Sequence, residues 1–310
     1  MVIGGIDIVL LIVSMMVAAT PIMLAATGEL VAEKSGVLNL GVEGMMIIGA
    51  ICGFAAAVGT GSPVLGFLLA AAGGAVMALL FGILTQFLLS NQVATGLALT
   101  LFGLGLSALI GQNYQGVKPP QTNNIDLGFL SDLPVLGPIL FSHDWVVYLS
   151  LLLVGATWAF LKYTRAGLIL RAVGESHNAA HALGYRVIRV RILALMFGGA
   201  LAGLGGAYLS LVRVPQWTEG MTAGSGWIAL AIVVFASWRA ERVLLGAYLF
   251  GGVTALQLRL QIVGVPIPVQ ILSMAPYVIT IIVLVIMSGR RGGASQSAPA
   301  SLGQIFHASH

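Results

Sequence analysis

Residues 192–212 read ILALMFGGALAGLGGAYLSLV, a stretch without one charged side chain. An α-helix needs about 20 apolar residues to cross the hydrocarbon core of a bilayer, so this stretch predicts a membrane span. Its run of small residues at 198–207 leaves part of the helix almost free of side chains. Small residues let membrane helices approach closely, because lipid gives little hydrophobic drive for their association. The stretch therefore predicts a helix at a tightly packed interface.

The composition of the whole chain extends this prediction. Of the 310 residues, 58% are hydrophobic and only 8% are charged, whereas a soluble domain carries about 25% charged residues. Apolar segments recur at 8–27, 37–59, 64–89, 93–112, 145–161, 192–212, 222–238, 243–258 and 268–288. We expect an all-α polytopic membrane helix bundle of about eight to ten transmembrane or partly spanning helices, with residues 1–290 as one domain in the lipid bilayer.

Two long polar intervals differ in charge and predict the orientation of the bundle. Interval 162–191 contains six Lys and Arg residues against the single carboxylate of Glu175, whereas 113–144 contains one lysine and three aspartates. Cytoplasmic loops carry an excess of Lys and Arg, so we place 162–191 in the cytoplasm and 113–144 outside. Counting spans from there puts the N-terminus outside and the Ser-rich tail 291–310, which we expect to be disordered, in the cytoplasm.

Several classes of function lack the residues that they need. The net charge of +4 comes from dispersed basic residues, which do not indicate a nucleic-acid partner, and Cys52 alone cannot form a disulfide or a cysteine metal cluster. His177 and His181 stand four apart, but without a His-Glu-x-x-His pattern a solvated short helix explains them better than a metal site. There is no P-loop, so a partner must supply any work from ATP. We predict neither a cofactor nor an enzymatic activity.

The basic interval contains the pattern of a short helix. Ser176 is a candidate N-cap, residues 178–183 supply the turns, and Gly184 is a C-terminal stop. A helix this short is not stable alone, so it must dock on its own bundle or on another protein. The alternative is a solvated basic loop that only sets the orientation.

Polar residues at membrane depth are the candidates for a translocation pathway, because burying an unpaired charge costs about 3 kcal/mol or more. Two glycine-rich stretches, 36–44 and 219–226, place polar groups at the mouths of apolar segments, as broken helices do in many transporters. Two alternatives stay open: Glu43 could instead bind backbone amides at a helix start, and Arg259 could extend to the outer interface. The pathway residues that we predict are Asn39, Glu43, Gln257, Arg259 and Gln261.

Residues 28–46, GELVAEKSGVLNLGVEGMM, resemble the signature of the permeases that carry branched-chain amino acids, simple sugars and nucleosides. The sequence of residues 40–45 is most similar to the nucleoside and simple-sugar subgroup. Three further segments also resemble this subgroup: 171–175, 220–230 and 256–261. In addition, 178–184 is similar to the coupling loop of ABC importer permeases, Glu-Ala-Ala-x-x-x-Gly. Here Asn178 replaces the glutamate, and Glu175 lies three residues earlier.

The resemblance implies a permease subunit in a bacterial inner membrane, with a nucleoside as cargo and a simple sugar as the alternative. It implies three protein partners: an ABC ATPase subunit, a second and unlike permease subunit, and an extracytoplasmic substrate-binding protein. The residues that it assigns to contact with the ATPase are Glu175, Asn178, Ala179, Ala180 and Gly184. A stand-alone ion-coupled carrier or channel is the competing class, and it would need titratable residues at the midplane, where only Glu43 is a candidate. An intramembrane enzyme would need a catalytic constellation that the sequence lacks.

Overall fold

The computed structural model of the protein describes residues 2–3, 6–122, 128, 136–264, 268–289 and 298–307. The helices are α1 (Ile8–Lys34), α2 (Val42–Thr60), α3 (Pro63–Gly82), α4 (Gln92–Gly111), α5 (Trp145–Tyr163), α6 (Arg165–Glu175), α7 (His177–Ala182), α8 (Val187–Tyr208), α9 (Ser225–Phe235), α10 (Ala240–Val263) and α11 (Val269–Gly289). Two π-helical turns, Ile83–Phe87 and Leu209–Arg213, extend α3 and α8. The described strands, β1 (Val2–Ile3) and β2 (Ile6–Asp7), form one short antiparallel pair before α1.

Among the described residues, seven helices are long and apolar enough to cross a membrane: α1 to α5, α8 and α10. This confirms the predicted polytopic helical bundle. Helix α9 has 11 residues, about 16 Å at 1.5 Å per residue, so it spans about half of a hydrocarbon core. The apolar segment 222–238 is therefore a partly spanning helix, while α11, with 21 residues, follows the predicted segment 268–288.

The first two segments differ from their predicted bounds. Helix α1 continues to Lys34 instead of ending at residue 27, because Glu29 and Glu33 are buried in the bundle and bonded there rather than solvated. Residues 35–41 are not helical, and Gly36 adopts a φ of 88° that favours glycine. Helix α2 thus begins at Val42, five residues later than predicted, and Asn39 does not precede Glu43 on one helix face.

Helix α8 packs against α1, α2 and α3 along its glycine-rich run. A Cβ on Gly198 would lie 3.0 Å from the carbonyl oxygen of Gly28 in α1, and one on Gly206 would collide with the carbonyl oxygen of Met46 in α2. These backbones touch because no side chain stands between them. The close interface that the sequence predicts is confirmed.

One end of the bundle gathers chain segments that lie far apart in sequence. It comprises the C-terminus of α1, helices α6 and α7, the N-terminus of α8 and residues 298–307, and we call it the α7 end. At the opposite end, the hydroxyl of Tyr208 donates to the carboxylate of Asp144 over 2.8 Å, which joins the last turn of α8 to the start of α5. The tail and the basic interval thus lie at the same end, as their common predicted side requires.

Residues 298–307 correct the prediction that 291–310 is a disordered tail. The backbone N–H of Ser301 donates to the carbonyl of Gly174 over 2.9 Å, and Ser301 and Phe306 are buried. The sequence does not predict this burial, because the segment is short and its apolar contacts come from distant helices. Residues 291–297 and 308–310 of the predicted tail lie outside the described residues.

Candidate functional site

The short helix in the basic interval forms as predicted. Helix α7 starts where the hydroxyl of Ser176 accepts from the backbone N–H of Ala179 over 3.3 Å. It ends at Gly184, whose φ is 86° and whose N–H donates to the carbonyl of His181 over 2.8 Å. A side-chain N-cap and a left-handed glycine are the usual start and stop signals of a helix. The sequence therefore defines both ends of α7.

Helix α7 has one face in the bundle and one face free. Ala180 is buried beside Val173, Val187 and Phe306. The other four residues that the resemblance assigns to ATPase contact are exposed: Glu175, Asn178, Ala179 and Gly184. Leu183 beside them is a large apolar side chain that is 75% exposed. The exposed face of α7 can therefore receive another protein without unpacking the helix.

A buried arginine connects α7 to the rest of the bundle. Arg191, at the start of α8, has no exposed surface. Its guanidinium donates to the carbonyl of Ser35 (3.3 Å), the side-chain oxygen of Gln86 (3.2 Å) and the carbonyl of Gln304 (3.2 Å), and it lies 3.4 Å from Nδ1 of His177. One side chain thus holds α1, α3, α7 and the tail together. The sequence analysis counted Arg191 among the six Lys and Arg residues of interval 162–191 without singling it out, because spacing alone does not show which of them turns inward.

His177 is the titratable partner of this arginine. Burial, and secondarily the positive charge of Arg191, lower the pKa of His177 below its ordinary value of 6.5. The neutral imidazole can accept a hydrogen bond at Nδ1, whereas an imidazolium would face the guanidinium with a like charge. The contact is therefore stable only while His177 is unprotonated.

The predicted pathway residue Glu43 holds together the two glycine-rich stretches. Its Oε1 accepts from the hydroxyl of Thr222 (2.5 Å) and the N–H of Gly224 (3.0 Å), and its Oε2 accepts from the N–H of Gly226 (2.7 Å). These groups form the N-terminus of α9, where backbone donors lack helical partners and favour an anion. Of the two alternatives for Glu43, the geometry favours amide binding, although at the start of a different helix.

Asn39 is fully buried in the break between α1 and α2. Its Nδ2 donates to Oε2 of Glu29 over 3.0 Å, and its Oδ1 accepts from the N–H of Gly41 over 3.1 Å. Glu33, one turn after Glu29, accepts instead from the indole N–H of Trp238. The second carboxylate oxygens of Glu29 and Glu33 have no hydrogen-bond partner in the described chain. The sequence analysis missed this pair, although its spacing of four residues at the edge of an apolar run was a usable signal.

A cavity of about 810 Å³, whose lining is mostly apolar but includes several polar side chains, lies between α1, α10 and the loop that leads into α9. Gln257 and Arg259 line it, and the guanidinium of Arg259 donates to the hydroxyl of Ser14 over 3.2 Å. Asn39, Glu43 and Gln261 are not among its lining residues. Thr222 and Ser225, from the glycine-rich stretch 219–226, also line it, and polar lining residues outside the stretches that the sequence analysis singled out are Ser14, Arg213, Thr218, Thr254 and Tyr277. The structure thus brings two of the five predicted pathway residues to one cavity.

The described residues include no group of three His, Cys, Asp or Glu side chains that could hold a metal ion. The arrangement can bind a solute in the cavity and transmit a movement through the α7 end. The cavity offers amide, hydroxyl and guanidinium groups to a polar solute, and the α7 end offers an anchored helix with one free face.

Comparison with known proteins also indicates a transport subunit. Residues 11–288 match the family model described as branched-chain amino acid transport system, permease component. The chain is 41% identical to a putative glucose ABC transporter permease protein of Haloferax volcanii, over 94% of this chain and 95% of the relative. It is 34% identical to a guanosine ABC transporter permease protein of Bacillus subtilis, over 89% of this chain and 91% of the relative. A second guanosine permease protein of that organism is 27% identical, over 87% of this chain and 78% of the relative. No solved structure gives a significant match.

Proposed function

Because the chain belongs to the family of permease components of branched-chain amino acid transport systems, we propose that it is the membrane-spanning subunit of an ATP-driven importer of nucleosides. As a member with seven helices that can span a bilayer, it is a multi-pass protein of the plasma membrane. The observation that carries the proposal is the anchored helix α7, whose exposed face is a docking surface without a catalytic site of its own. The energy then comes from an ATPase that binds this face.

In the proposed cycle, the ATPase contacts the exposed residues Glu175, Asn178, Ala179 and Gly184, whereas Ala180, which was also predicted to contact it, is buried and holds α7 on the bundle. Closure of the ATPase pair would move α7, and the bundle would shift between two states of access. A second permease subunit completes the pathway. The match to two guanosine permease proteins of one organism supports a pair of unlike chains. A substrate-binding protein delivers the cargo at the opposite end.

The cavity between α1, α10 and the loop before α9 is the proposed pathway in this chain. Amide and hydroxyl groups suit the hydroxyls of a ribose, and the exposed ring of Tyr277 can lie against a planar base. Gln257 and Arg259 would contact the cargo directly. Asn39 and Glu43 would act by holding the two broken segments in place, and Gln261 stays a prediction for another state of the transporter.

A simple sugar is the second candidate cargo, and the relative from Haloferax volcanii, named for glucose, specifically supports it. Uptake of labelled guanosine and labelled glucose into cells that express the full complex distinguishes the two. We expect uptake of the nucleoside, competed by excess unlabelled nucleoside and not by glucose. The reverse pattern would transfer the proposal to sugars. Uptake by this chain alone, without ATP, would favour the stand-alone carrier and contradict the importer.

Coupling through α7 is tested at Gly184. An alanine there must adopt a left-handed φ at a cost of about 1–2 kcal/mol, although nothing lies within 4 Å of the added Cβ. We expect Gly184→Ala to reduce both ATPase co-purification and uptake at least threefold. The matched control is Gly61→Ala, which imposes the same strain at the end of α2 and also meets nothing within 4 Å. Equal effects of both variants would remove the evidence for a docking role of α7.

A further inference from the structure

The C-terminal segment, residues 298–307, touches two parts of the bundle that a transport cycle has to connect. On one side, the N–H of Ser301 donates to the carbonyl of Gly174 over 2.9 Å, and its hydroxyl accepts from the N–H of His177 over 3.4 Å. On the other side, the N–H of Gly303 donates to the carbonyl of Gly36 over 3.1 Å. Gly36 is the left-handed residue of the break between α1 and α2. Two residues of the tail, Ser301 and Gly303, thus join the start of α7 to this break.

Phe306 extends the contact along α7. It is 5% exposed, and its ring packs edge-on against the imidazoles of His177 and His181, with a distance of 5.3 Å between centroids in both pairs. The two histidines stand four apart on one face of the helix, so a single ring bridges its first and last turns. Phe306 also contacts the cluster of Val173, Ala180 and Val187.

The segment leaves the free face of α7 uncovered. Asn178, Ala179 and Leu183 are exposed with the segment in place. It therefore does not occupy the surface that the ATPase would need. It instead supports the opposite face of a six-residue helix, which is too short to be stable without such packing.

We infer that the C-terminal segment positions α7 relative to the break between α1 and α2, so that a displacement of α7 is carried to that break. Two routes then lead from α7 to the break: the guanidinium of Arg191, which binds the carbonyl of Ser35, and the segment, which binds the carbonyl of Gly36. Arg191 also donates to the carbonyl of Gln304, so both routes move together. The segment is a positioning element for coupling, not a contact of the cargo. The inference rests on the proposed function, because it needs an ATPase that moves α7.

The test measures coupling in the whole complex, purified through a tag on this chain and reconstituted with its ATPase, second permease and binding protein. Phe306→Ala removes the ring that bridges the two histidines. Gln304→Ala is the matched control, since its side-chain amide donates to the carbonyl of Ala300 within the segment and the bond from Arg191 to its backbone carbonyl is kept. The readout is cargo transported per ATP hydrolysed. We expect a decrease of at least threefold for Phe306→Ala and no change for Gln304→Ala.

A role in stability alone is separated by two further measurements. The amount of ATPase that co-purifies reports docking, and Phe306→Tyr restores an aromatic ring at the same place. We expect the ATPase to remain bound in all three variants and Phe306→Tyr to recover the transport ratio. A normal ratio in Phe306→Ala, or a loss of ratio that Phe306→Tyr does not recover, overturns the inference. If no ATPase co-purifies with the wild-type chain, that result contradicts the proposed function. It is distinct from the results that contradict only the role of the C-terminal segment.

Discussion

At the scale of single residues, buried polar side chains link parts of this protein that the sequence leaves far apart. Glu43 bonds to residues about 180 positions later, and Arg191 joins four segments. A buried charged side chain is costly without hydrogen-bond partners, and these two find theirs in other elements. Such residues are where single substitutions should have their largest effects.

Glu43→Gln tests the cap on α9. The amide keeps one acceptor oxygen but turns an NH₂ donor toward the N–H groups of the helix start. Hydrogen bonds to a charged group contribute about 1.5–3 kcal/mol. We therefore expect a lower melting temperature in detergent and a loss of uptake. Glu219→Gln, in the same loop but exposed, is the control and should melt like the wild type. Equal melting of Glu43→Gln and wild type would show that the carboxylate is not needed there.

His177 gives the α7 end a dependence on pH. Its pKa in the packed state is lowered below the ordinary 6.5, so the packed state binds fewer protons than the released state. Packing of the tail is then favoured fully above about pH 6.5 and weakens as the pH falls below it. Limited proteolysis should cleave the tail faster at pH 5.5 than at pH 7.5. His177→Gln should abolish this difference, and its persistence in that variant would assign the effect to another group.

At the scale of elements, the contacts between helices depend on glycine more than on large side chains. Helix α8 approaches three other helices through one glycine-rich face, and no side chain could be added there without moving a backbone. Helix α8 therefore tolerates substitution least at the contacts where it has the fewest side-chain atoms.

Gly206→Val measures this constraint. The added carbons would collide with the carbonyl of Met46, and overpacking of a close interface costs about 1–3 kcal/mol or more. We expect little folded protein after detergent extraction, as judged by a monodisperse size-exclusion peak. Gly155→Val is the matched control in the middle of α5, where nothing lies within 4 Å of the new Cβ. A normal peak for Gly206→Val would mean that the interface can widen.

At the scale of the whole molecule, the tail and the basic interval share one end, while Arg259 bonds to Ser14 near the start of α1. The distribution of Lys and Arg along the chain assigns the α7 end to the cytoplasm. The structure supplies the neighbours of each end but not the side of the membrane, which a labelling experiment can measure.

Cysteine labelling in intact cells tests the orientation. On a Cys52→Ala background, Gln115→Cys and Leu183→Cys place single thiols at exposed positions of the two long polar intervals. A membrane-impermeant maleimide should label position 115 in intact cells and position 183 only after permeabilisation. Labelling of position 183 in intact cells would reverse the topology and with it the place of the ATPase.

Several features of the site were predictable and others were not. The cap at Ser176 and the stop at Gly184 follow from local patterns, and Gln257 and Arg259, which the sequence singled out together, line one cavity. The C-terminus of α1 was placed too early because its glutamates look like residues of a solvated loop. Only their bonds to Asn39 and Trp238 explain why the helix continues.

The sequence by itself determined that this is a helical membrane protein, where most spans lie and where the short helix α7 starts and stops. Hydropathy and capping act within one helix length, so they can be read along the chain. Only the tertiary structure decided which side chains meet which elements: Glu43 with α9, Arg191 with the tail, and Phe306 with α7. These pairings depend on how close the helices lie to one another in the fold. A local sequence pattern does not specify that distance, because several segments of the chain could supply a partner of the same kind.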